Sequence, residues 1–154
     1  MSVAWVTLVV GDLNHYMVAA QVSAVNTAAL AAGQADRFTR VMTDVVNRIR
    51  NKIETCPGNR VSATALSIPP SLRAGACLLI IQGMQTAIPS LKLTEDQKAE
   101  IDRYQKDLDL IAECKLTVEE PVDPLDPPNA QVGGNVEVAS STTRQATRTT
   151  LAGL

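Results

Sequence analysis

The chain has 154 residues, 45% of them hydrophobic, which is enough for one domain with a proper core. Its net charge of −2 suits neither a nucleic-acid binder nor an acidic tail protein. Trp5, Tyr16, Phe38 and Tyr104 are its only aromatics, too few for the alternating aromatic and β-branched strands of a sandwich.

Cys56, Cys77 and Cys114 lie outside ligand spacing of one another and His15 is the single histidine, so no structural zinc site is expected. An odd cysteine count, with Cys77 inside an apolar run, predicts reduced thiols in a protein made in cytoplasm. The first ten residues carry no basic stretch ahead of their short apolar run, so no signal peptide is expected.

Residues 3–10 read as an extended or loosely coiled apolar lead-in that packs on the body. Asp12 can cap a first helix reaching about Val22, with Leu13, Tyr16, Met17 and Ala20 on one stripe. Residues 23–33 are alanine-rich and show no clear ends. A second helix is predicted over residues 34–55, where Phe38, Val41, Met42, Val45, Ile49 and Ile53 recur at three- and four-residue steps. Cys56-Pro57-Gly58-Asn59 stops it, and residues 60–68 read as a loop.

Residues 69–88 are the stretch around which the fold is organised. Two prolines pre-set a first helical turn, Ala74 to Ile81 are nearly all apolar, and Pro89 disfavours continuation. Such a helix is roughly 30 Å long, yet its apolar run is far short of the roughly 20 residues of a membrane span. It reads instead as a helix packed on several sides, with Ala74, Gly75, Ala76 and Gly83 admitting close neighbours. Thr94 with Gln97 forms a capping box for a last helix reaching about Leu116, which buries Ile101, Tyr104, Leu108, Ile111 and Ala112. The fold class is therefore all-α: a small bundle of about four helices around a central apolar helix (residues 1–116), followed by a long extended C-terminal arm (residues 117–154). The arm opens with Pro121, Pro124, Pro127 and Pro128 among acids, which forbids a helix, and continues into a threonine-rich, β-prone stretch.

No catalytic frame is present: there is no Gly-x-Ser-x-Gly elbow, phosphate loop or Gly-x-Gly-x-x-Gly. The expectation is a non-enzyme without cofactor or metal. The best polar cluster is Arg37, Arg40, Arg48 and Arg50 on the second helix. It is either a solvated face or a surface that pairs with acids of a neighbouring subunit. In the arm, Arg144, Arg148, Leu151 and Leu154 offer two cations and two apolar anchors on a segment able to add to another protein's sheet edge.

Several motifs together resemble the head–tail connector (adaptor, or head-completion) proteins of tailed bacteriophages, in particular the family of Mu-like prophages. They are Gly11-Asp12-Leu13 opening the first helix, the Val45-to-Ile53 periodicity, and the proline-initiated apolar helix over residues 69–84. Asp102-Arg103-Tyr104 with Leu110, and Arg144 and Arg148 ahead of Leu151-Ala152-Gly153-Leu154, complete the pattern. After the second helix the chain departs from the family, with Cys56-Pro57-Gly58-Asn59-Arg60 in place of an aromatic-rich passage. The resemblance implies a structural protein of the virion neck, made in the host cytoplasm and monomeric before assembly. About twelve copies would form a ring under the portal protein, pass the packaged DNA without sequence-specific binding, and present a platform for stopper or tail proteins. No membrane is involved in that reading. The alternative is a helical regulatory or DNA-binding module with a disordered partner-binding tail.

Overall fold

The computed structural model describes residues 2–27, 36–87 and 92–125. Among these the chain is mostly helical: α1 (Ala19–Thr27), α2 (Arg37–Glu54), α3 (Arg73–Ala87) and α4 (Glu95–Ala112), with short 3-10 turns at Val10–His15 and Pro70–Leu72. A two-stranded antiparallel sheet joins β1 (Val6–Thr7) to β2 (Ser67–Ile68), pairing Val6 with Ile68 and Thr7 with Ser67. Two residues of the apolar lead-in, Val6 and Thr7, thus form a strand. The loop expected over residues 60–68 ends in its partner, because Ser67 and Ile68 are fully buried and need a ladder for their backbone groups.

The first helix is a correction. Asp12 lies inside the 3-10 turn, where its carboxylate accepts from Val9 N–H at 2.9 Å and from the Arg73 guanidinium. Tyr16 and Met17 both donate to the Leu13 carbonyl, which ends that turn, and α1 begins separately after Val18. The α2 start is Asp36, whose carboxylate accepts from Thr39 N–H at 2.6 Å. Its buried face is Phe38, Met42, Val46, Ile49 and Ile53, with Val41 and Val45 half-buried at the margin. The expected stop at Pro89 falls outside the described residues.

α2, α3 and α4 pack against one another in all three pairings. A Cβ at Gly75 would lie 2.0 Å from the Tyr104 ring, and one at Gly83 would lie 2.6 Å from Val41 Cγ1. The glycines of α3 therefore leave the space that Tyr104 of α4 and Val41 of α2 occupy. Ala76, Ile80 and Met84 are wholly buried. Lys52 pairs with Asp109, which brings the C-terminal turns of α2 and α4 together.

The capping box is present in both halves: Gln97 N–H donates to Thr94 Oγ1 at 3.2 Å, and Thr94 N–H to Gln97 Oε1 at 3.0 Å. The helix stops at Ala112, short of the expected Leu116. Cys114 N–H donates to the Ile111 carbonyl and Lys115 N–H to that of Leu110, with Cys114 left-handed at φ 59°. This is the Schellman ending, with cysteine where glycine is usual. Cys114 is disulfide-bonded to Cys56, at a Cα–Cα distance of 5.3 Å. The expectation of three reduced thiols is thereby corrected: the matching ends of α2 and α4 bring two of them together, and Cys77 alone is free and buried.

Residues 117–125, the first part of the stretch read as an arm, lie on the body. Val3 N–H donates to the Glu120 carbonyl, Val122 N–H to Val3, Ala63 N–H to Asp123 and Leu125 N–H to Val61. We call this segment the strap.

Candidate interaction surface

At about 100° per residue, Arg37, Arg40 and Arg48 fall within one sector of α2, whereas Arg50 points elsewhere. Arg40 and Arg48 are exposed and Arg37 is half-buried at the helix start. Arg50 is turned into its own chain. Its Nη1 donates to the carbonyls of Thr64 (3.2 Å) and Ser67 (3.0 Å), and its Nη2 to that of Ser62 (2.7 Å). The guanidinium also stands over the Trp5 ring, 5.8 Å from its centroid. The four arginines are thus not one surface, since Arg50 is an internal brace. Arg144, Arg148, Leu151 and Leu154 lie outside the described residues.

The strap is held at the edge that Arg50 braces. Asp123 accepts from the Ser62 hydroxyl (2.8 and 2.9 Å), the Thr64 hydroxyl (2.7 Å) and Thr64 N–H (3.0 Å). Trp5 Nε1 donates to the Glu119 carbonyl at 3.1 Å, and Ser71 donates to the Glu119 carboxylate. The sequence reading missed this clasp. Its visible signal was Ser62 and Thr64 two residues apart, which puts both hydroxyls on one side of an extended chain, with Asp123 between Pro121 and Pro124. Next to the clasp the strap exposes Val122 (61%) and Leu125 (47%). Val9, Val10 and Val18, near the start of the chain, are also exposed.

A shallow cavity of about 280 Å³ is lined by Asp12, His15, Tyr16, Arg73 and Cys77. Burial, aided by the Asp12 charge, pushes the Cys77 thiol up to about 11 despite the nearby Arg73. That is the reverse of what an attacking thiolate needs. The Asp12 carboxylate is occupied by Arg73 and Val9. The cavity is built as a structural ion pair.

Burial raises the Asp12 pKa, but donation from Val9 N–H and Arg73 outweighs it and holds the group below its ordinary 3.8. The hydroxyls of Thr64 and Ser62 hold Asp123 below the same value. A folded-state pKa below the unfolded one gives stability that is full above about pH 4 and is lost as pH falls through the lowered values. Urea melts between about pH 5 and pH 2 are expected to show that loss, and Asp12→Asn with Asp123→Asn to flatten it. An acid limb as steep in the double variant as in the native chain would refute the assignment.

Comparison with protein families, curated proteins and solved structures finds no match.

Proposed function

We propose that this chain is a structural virion protein, a head–tail connector. It would form a ring of about twelve copies under the portal, extend the DNA channel, and offer the stopper or tail a docking platform. In this reading the helical part is a bundle built around α3, and residues beyond the strap are an extended arm that reaches the portal or the neighbouring subunit. The supporting observation is the strap itself. It fixes Leu125 to the edge of the body through Val61, so a further 29 residues depart from a defined point. Fully extended, 29 residues reach on the order of 100 Å, more than twice the diameter of a body of this size. A tether of that reach multiplies weak contacts by effective concentration.

The exposed apolar side chains of Val9, Val10, Val18, Val122 and Leu125 fit a chain that works in contact with others. Arg40 and Arg48 stand exposed for pairing with a neighbour's acids. The described residues contain no helix long and apolar enough to cross a membrane, and the ring as proposed needs none.

Quantitative mass spectrometry of purified phage particles tests the reading. Copies near-equal to the portal are expected. Deleting residues 126–154, which leaves the strap in place, is expected to accumulate unjoined heads. Absence of the protein from particles would overturn the connector reading in favour of a helical regulatory module with a partner-binding tail.

A further inference from the structure

Residues 114–125 are held at two places by two different kinds of bond. At one end the Cys56–Cys114 disulfide ties the close of α4 to the turn after α2. At the other, Asp123 is clasped by Ser62 and Thr64, and Leu125 is bonded to Val61. Trp5, the single tryptophan, donates to Glu119 between the two anchors. The strap itself is half-exposed, with Pro121 its one buried residue. It is therefore held mainly by hydrogen bonds at a solvated edge, where water competes for each of them.

The cysteine pair is placed to govern this segment. Cys114 occupies a left-handed position, which is unfavourable for a residue with a Cβ. It is exposed and open to small thiols and disulfides, whereas Cys56 is buried. Cys77 sits on α3 with its thiol pushed up, so it does not compete for exchange.

We propose that Cys56 and Cys114 form a redox latch that decides whether the strap stays on the body. The closing step is thiol–disulfide exchange with glutathione disulfide. The Cys114 thiolate attacks one glutathione sulfur and expels the first glutathione. The Cys56 thiolate then attacks the Cys114 sulfur of that mixed disulfide and expels the second. Two protein thiols and one glutathione disulfide become one protein disulfide and two glutathiones, so the two electrons lost by the cysteines are gained by glutathione. In a reducing compartment the pair opens, the strained turn relaxes, and residues 115–125 leave the edge. In an oxidising one the latch shuts and the chain beyond Leu125 departs from a fixed point. This device is independent of the connector reading, since it belongs to the body alone.

The test uses the full chain carrying Cys77→Ser, poised in glutathione buffers of stepped ratio. Trypsin cleavage after Lys115, the last cation before the strap, reads strap release, Trp5 emission reads loss of the Glu119 contact, and far-UV circular dichroism reads the helices. Reduction is expected to speed that cut about tenfold and to red-shift Trp5 with the helical signal intact. Cys114→Ser keeps a Cβ at the left-handed position and removes the crosslink, and is expected to behave as the reduced chain in every buffer. Three outcomes would overturn the latch: equal cleavage and emission in both redox states, collapse of the helical signal on reduction, or both thiols remaining alkylatable in glutathione disulfide.

Discussion

Arg50→Ala is expected to lower the unfolding free energy by about 3 kcal/mol, while Arg40→Ala and Arg48→Ala stay within about 0.5 kcal/mol of the native chain. The difference comes from where the guanidinium goes. It satisfies the carbonyls of Ser62, Thr64 and Ser67, and Ser62 and Ser67 are buried residues. Truncation leaves those acceptors without their charged donor and strips the cover from Trp5. Charge-assisted bonds contribute about 1.5–3 kcal/mol each, and an orphaned acceptor costs its full desolvation. Half-exposure of Arg50 lets water replace part of that, which brings the total to about 3. Arg50→Lys is expected to recover less than half, because an ammonium cannot span carbonyls on both sides of the 62–67 turn as the planar fork does. Urea melts followed through Trp5 check the series. Equal melts for Arg50→Ala and Arg40→Ala would return Arg50 to the exposed face that its residue type alone suggests.

Arg50 also marks where sequence stops being sufficient. Features whose partners are near in sequence were legible: Thr94 and Gln97 cap each other across three residues, and the apolar period of α2 names its buried face almost correctly. Features whose partners are distant were not. The acceptors for Arg50 are carbonyls of a turn 12 to 17 residues away, and carbonyls leave no mark in side-chain pattern. Cys56 and Cys114 are separated by 58 positions, and they meet because the C-terminal turns of α2 and α4 come together. No local spacing carries that. The β1–β2 pair is two residues on each side, too short for an alternation to be seen. The clasp fell across the expected boundary at residue 116. A rise in proline and acid there suggests departure from the body, although Asp123 is the residue that fastens the chain back to it.

The small residues of α3 admit close neighbours, and Gly75 is where this has its largest consequence. Gly75→Ala is expected to destabilise the protein by about 3 kcal/mol, against the gain of roughly 1 kcal/mol that helix propensity alone dictates. The added methyl would sit 2.0 Å from Tyr104 Cδ2 and 2.2 Å from Cε2, whereas carbon atoms rest at about 3.5–4.0 Å. The ring must therefore retreat by roughly 1.5 Å. Tyr104 is 8% exposed and its hydroxyl donates to the Leu72 carbonyl at 3.0 Å in the interior, so retreat opens a void and breaks a buried bond together. Gly83→Ala provides the contrast. Its methyl meets one γ-methyl of half-buried Val41, whose χ1 is held by its helix, so the clash is expected to outweigh the propensity gain by only about 1 kcal/mol, well short of Gly75→Ala. In Gly75→Ala/Tyr104→Leu the smaller side chain makes room for the methyl, and the double variant is expected to be less destabilised than the sum of the single changes by at least about 1 kcal/mol. Thermal and urea melts of the four variants decide it. A Gly75→Ala protein as stable as the native chain, or additive with Tyr104→Leu, would mean that α4 does not lie on α3 through this ring.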